Sequence, residues 1–117
     1  MTDRVDPPAG LRLPESPVPL PAPVTDSHTH LTSTAAFSGL PVADSLAVAA
    51  SVGVMRVVEI GCDLDDSRQA VEIAEQYPQV VASVAIHPND AARLAGSEGR
   101  DALLAAIAGI ESLARRP

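Results

Sequence analysis

Residues 24–31 read VTDSHTHL, and the way this run ends decides between two folds. Val24 to His28 reads as a short strand, and side chains two apart on a strand share a face. Asp26, His28 and His30 therefore project together if the chain stays extended through His30. In an open doubly wound sheet the first strand leads into a glycine-rich phosphate loop, whereas here it leads into two histidines. Metal-binding side chains at the C-terminal end of a first strand are what a (β/α)8 barrel places at its mouth, so the run favours the barrel.

Working outward, the downstream sequence alternates in the way such a barrel requires. LPVADSLAVAASVG, residues 40–53, carries Val42, Leu46, Ala49 and Ala50 on one helical face and closes at Gly53. MRVVEI, residues 55–60, is a buried strand ended by Gly61. DLDDSRQAVEIAEQYP, residues 63–78, predicts a helix capped by Asp65 or Asp66, with Ala70, Ile73, Ala74 and Tyr77 on one face and Pro78 as its stop. VVASVAIHP, residues 80–88, is a third strand. RDALLAAIAGIESLARR, residues 100–116, is a last helix with Leu103, Leu104, Ile107, Ile110 and Ala114 as its stripe and Arg115 and Arg116 at its C-terminal dipole. The order β-α-β-α-β-α implies parallel strands joined by right-handed crossovers. A complete barrel takes about 200–250 residues, so the expected fold class is α/β, the first three βα units of a (β/α)8 TIM-type barrel and the N-terminal part of a larger fold.

Upstream, seven of the eleven prolines fall within residues 1–23, where missing N–H donors and fixed φ prevent a helix or central strand. A disordered Pro-rich tail is expected over residues 1–23 and a folded part over 24–117. Composition narrows the chemistry further. With 46% apolar residues but only Phe37 and Tyr77 as aromatics, the core of this 117-residue chain must be aliphatic. Eight arginines, no lysine and a net charge of -7 argue against a preformed basic surface for nucleic acid, so a DNA substrate needs local arginines or metal ions. The single Cys62 excludes an internal disulfide and a cysteine-rich zinc module. MTDRVDPPAG lacks the blocks of a signal peptide and no apolar run reaches about 18 residues, so the expected location is cytoplasmic, with no membrane partner.

Two imidazoles spaced as His28 and His30 can bind one divalent ion, and Asp26 can orient an imidazole or help to bridge two ions. The plainer reading is a polar loop with two histidines. His87, at the end of the third strand, has as its plain reading a ring packed on Pro88. Glu59 and Asp63 flank Gly61, and an acidic loop with a helix cap explains them better than catalysis. Cys62 has no partner thiol and no adjacent histidine, which makes it structural; Arg56 and Arg68 read as solvated surface.

VTDSHTHL resembles the first-strand motif of the TatD family of metal-dependent deoxyribonucleases, within the amidohydrolase-like barrels. VVEIGCDLDDSRQAVEIAEQYPQVVASVAIHPNDA, residues 57–91, is similar to that family's second strand, second helix and third strand, ending in its Gly-x-His-Pro-His-type turn. The resemblance runs from Val24 to the C-terminus. It implies His28 and His30 as metal ligands, Asp26 as their support and His87 as a contact to the substrate phosphate. It further implies divalent metal ions, two per complete site, with zinc, magnesium and manganese all open, and DNA as the substrate of the complete protein.

Two departures stand out. Asn89 occupies the place where the family usually has a second histidine, and the bridging glutamate and later metal ligands of the family lie beyond Pro117. Glu111, on the last expected helix, is no substitute for them. The expectation is a hydrolase of DNA phosphodiesters, with a metal-dependent amide, ester or lactone hydrolase and an inactive truncated fragment as alternatives. Alone, the chain is expected to be inactive and to self-associate through its open strand edges, whose runs MRVVEI and VVASVAI carry little charge.

Overall fold

A computed structural model describes residues 12–117, and these described residues form three strands and five helices. The order is β1 (Val24–Thr29), α1 (Leu31–Ser38), α2 (Val42–Ser51), β2 (Val54–Ile60), α3 (Leu64–Gln76), β3 (Val80–Ser83), α4 (Pro88–Glu98) and α5 (Arg100–Ala114). The strands form one parallel sheet in the order β1-β2-β3, the arrangement of the first βα units of a TIM-type barrel. Two compact units divide the chain within β2, one reaching Val57 and the other running from Val58 to Pro117.

In the first unit Leu31, Leu46, Val52 and Val57 are buried. The expected face of α2 holds at Val42, Leu46 and Ala49, while Ala50 is exposed. The helix is capped by Val52, one residue before the expected Gly53. Gly53 instead has φ of 98°, a conformation open to glycine, and its carbonyl accepts the Val24 N–H at 2.9 Å. Of the expected tail, residues 1–11 lie outside the described residues, and 12–23 form neither helix nor strand. Its end is tied down, because the Leu20 N–H donates to the Val52 carbonyl at 2.9 Å.

Helix α1 was not foreseen. LTSTAAFS has four hydroxyl residues and no side-chain cap, so local propensity gives it little support. It stands because Leu31 and Ser38 are buried, and the Ser38 hydroxyl donates to the Thr34 carbonyl at 2.6 Å.

The second unit buries Glu59, Ser67, Ala70, Ile73, Val80 and Ala106. Helix α3 packs on β3 and on α5, and α4 packs on α5. Asp63, not Asp65 or Asp66, is the cap of α3, its carboxylate accepting the Asp66 N–H at 2.7 Å. Asp66 in turn accepts the Cys62 N–H at 2.7 Å, so the two acids share the donors of this turn.

Strand β3 ends at Ser83, short of the expected Pro88, because its ladder changes partner. The Ser83 carbonyl still accepts the Gly61 N–H at 2.8 Å, but the N–H and C=O of Ala85 go to a side chain, the Ser67 hydroxyl. Residues 88–98, between the expected third strand and the last expected helix, form α4, with Pro88 in its first turn and Asp90 behind it. Gly99, with φ of 91°, separates α4 from α5. The expected stripe of α5 shifts round the helix. Ala106 is its buried residue, while Leu104 and Ile107 are 48% and 49% exposed. Gly109 lets α5 approach the Leu64 side chain closely.

Candidate functional site

In the first unit β1 brings His28 and His30 together. Their ring centroids are 5.1 Å apart with planes at 74°. His28 is exposed and His30 half-buried, so both rings are accessible. His30 is the cap residue of α1, with φ −128° and ψ 73°. Its carbonyl takes the first helical bond from the Thr34 N–H, while its ring makes no capping bond. The strand's parity thus persists to His30 although β1 itself stops at Thr29. Asp26 lies on the same strand face by parity. One of its oxygens is occupied by the His28 backbone N–H at 3.0 Å, so Asp26 orders the backbone leading into His28.

These donors fit a shared divalent ion. An imidazole nitrogen binds zinc at about 2.0–2.1 Å, which puts the centroids of two rings on one tetrahedral ion about 5 Å apart. The observed separation of 5.1 Å is of that size. Among the described residues no three of His, Cys, Asp and Glu are grouped to hold a metal ion.

In the second unit His87 is not a strand residue. It caps α4 with φ −60° and ψ 144°, its N–H donating to the Cys62 carbonyl at 2.7 Å. Its Nδ1 accepts the Asn89 N–H at 3.1 Å, which places the proton of the neutral ring on Nε2. The exposed ring therefore offers an N–H donor to solvent or to an anionic oxygen. Asn89, where a second histidine was expected by resemblance, supplies this contact through its backbone.

Asp63 is a helix cap, and Glu59 is 1% exposed and not without a partner. Burial pushes the Cys62 thiol above its ordinary value, with the carboxylates of Asp66, Asp90 and Asp63 adding to the shift, so the thiolate is disfavoured. Arg68 is paired with Asp65 at 2.8 Å on the surface, Arg56 is exposed, and Glu111 pairs with Arg115. A groove of about 660 Å³ between α3, α4 and α5 is lined by residues including Asp63, Ile86, Asp90, Arg93 and Leu94, and by no histidine. Sequence reasoning missed the buried Ser67, whose hydroxyl replaces a strand as the partner of Ala85.

No helix among the described residues is long and apolar enough to cross a membrane. A family model described as TatD related DNase matches residues 25–116. The chain is also 37% identical over 68 residues to a protein of Mycobacterium tuberculosis (strain ATCC 25618 / H37Rv) named "Uncharacterized metal-dependent hydrolase TatD". That match takes in 58% of this chain and 26% of the relative, so it spans about a quarter of the relative's length. With the family match covering nearly all of the chain from β1 onward, this protein belongs to the TatD family of metal-dependent hydrolases.

Proposed function

We propose that this chain supplies part of the metal site and a phosphate contact of a hydrolase that cleaves DNA phosphodiesters. The observation that carries the reading is the pair of accessible imidazoles, 5.1 Å apart, at the end of β1. A bound divalent ion would activate water and neutralise charge on the phosphate during displacement. His28 and His30 hold that ion, and Asp26 fixes the backbone leading into His28. His87 donates its Nε2 proton to a phosphate oxygen, the role its bond to the Asn89 amide leaves it. Zinc suits the imidazoles, while magnesium or manganese suits the carboxylate chemistry of phosphoryl transfer.

Two imidazoles are fewer ligands than a complete catalytic site needs, so residues 1–117 alone are expected to be inactive. They are also expected to self-associate, because Met55, Val81, Leu104 and Ile107 are all exposed. Light scattering on the purified chain checks this, and a well-behaved monomer at all concentrations would contradict it. The test of function is a labelled DNA strand incubated with the coding sequence extended past Pro117, with zinc, magnesium or manganese. Metal-dependent cleavage that is lost in the double variant His28→Ala, His30→Ala is the expected result. Cleavage of an ester or lactone with no cleavage of DNA would move the assignment to a small-molecule hydrolase on the same fold.

A further inference from the structure

Ser67 is the one serine of α3, and it is 0% exposed. A hydroxyl at a fully buried helix position calls for a reason, since alanine has the better helix propensity and leaves no polar group to satisfy. The reason lies 18 residues away. The hydroxyl donates to the Ala85 carbonyl at 3.1 Å and accepts the Ala85 N–H at 3.2 Å, taking both backbone groups of one residue. Gly61 makes room for it, because a methyl there would lie 2.7 Å from Ser67 Cα and 2.9 Å from Ser67 Cβ. Next to it, Asp66 holds the Cys62 N–H at 2.7 Å, and the Cys62 carbonyl accepts the His87 N–H at 2.7 Å. Two adjacent side chains of one helical turn therefore fix the backbone at Ala85 and, through Cys62, at His87.

We infer that Ser67 is a positioning residue for His87. It replaces the missing strand ladder at Ala85, so that the chain reaches α4 with the His87 ring seated under the Asn89 amide and its Nε2–H directed outward. The inference rests on the reading of His87 as a phosphate contact for its catalytic consequence, but not for its structural one.

The test is hydrogen exchange and imidazole NMR on the full chain. In the parent chain the Ala85 amide should exchange at least tenfold more slowly than a free amide, and His87 should show the Nε2–H tautomer. An unprotected Ala85 amide would overturn the inference before any variant is made. In Ser67→Ala the Asn89 amide should exchange at least tenfold faster and the His87 ring should become a tautomer mixture. Ile73→Val, on the same buried face, should leave both signals as they were. Unchanged His87 signals in Ser67→Ala would overturn the positioning role. In the chain extended past Pro117, Ser67→Ala should lower kcat about tenfold on DNA with KM held. Altered His87 signals with an unchanged kcat would uphold the positioning and overturn the phosphate role of His87.

Discussion

Replacing Gly61 by alanine should be among the most damaging single-methyl changes available in the second unit. The added carbon would lie 2.7 Å from Ser67 Cα, against 3.4–4 Å for an ordinary contact, so backbone must retreat by about 0.7 Å. The nearest atom met is the Ser67 hydroxyl oxygen, already held by Ala85, and turning it aside does not relieve the clash because the helix backbone at Ser67 Cα lies directly behind it. Overpacking of this kind costs about 1–3 kcal/mol. The retreat also stretches the two Ser67–Ala85 bonds, now 3.1 and 3.2 Å, beyond bonding range. Each is worth about 1 kcal/mol, which brings the total to about 3–5 kcal/mol, more than a hundredfold in the folding equilibrium. Two other glycines calibrate the argument. Gly109→Ala meets only the tips of Leu64, nearest at 2.8 Å, and a rotamer change should limit its cost to about 1 kcal/mol. Gly96→Ala meets nothing within 4 Å inside α4 and should stabilise by about 0.5–1 kcal/mol. Urea unfolding of the three variants followed by circular dichroism reads the series directly. If Gly61→Ala were no worse than Gly109→Ala, the close approach of α3 to the end of β2 would be wrong.

Removing the α3 cap in Asp63→Ala should cost about 1 kcal/mol and Asp63→Asn less, since Asn keeps an acceptor for the Asp66 N–H; equal losses in the same urea assay would contradict the cap. Cys62 should react slowly with iodoacetamide at neutral pH in the folded chain, because burial and then Asp66 hold its thiol protonated. Its pKa is raised on folding, so the folded chain keeps the proton more tightly than the unfolded one. That contribution is complete below the ordinary thiol value and is lost as pH climbs through the raised one. Stability of the parent chain should therefore fall more steeply in alkali than that of Cys62→Ala, and parallel curves would refute the shift.

The order of strands and main helices was legible because β-branched runs and one-faced helices are local signals. The run from Met55 to Ile60, observed as Val54–Ile60, and the Ala70–Ile73 face needed no tertiary information. Helix α1 escaped because its stability comes from buried Leu31 rather than from its hydroxyl-rich sequence. Helix α4 was signalled, by proline at its start, Asp90 in its first turn and Gly99 after its end, but its weakly apolar sequence masked the signs. The pairing of His28 with His30 was legible from strand parity alone. His87 was expected at the end of the third strand, but the strand stops at Ser83, and the cap role and tautomer of His87 depend on the Asn89 amide, which only the folded turn supplies. Ser67 was invisible for the same reason, its partner being far away in sequence and its residue type unremarkable in a helix.

The claim on which the functional account turns is that His28 and His30 share one ion, and an edge-to-face contact of two rings would give much the same separation without any metal. Calorimetric titration of zinc into residues 1–117 distinguishes the two. The account predicts one zinc per chain, with binding lost in His28→Ala and equally in His30→Ala, and kept in Cys62→Ala. Zinc binding that survives either histidine change, or a parent chain that binds none, would contradict it.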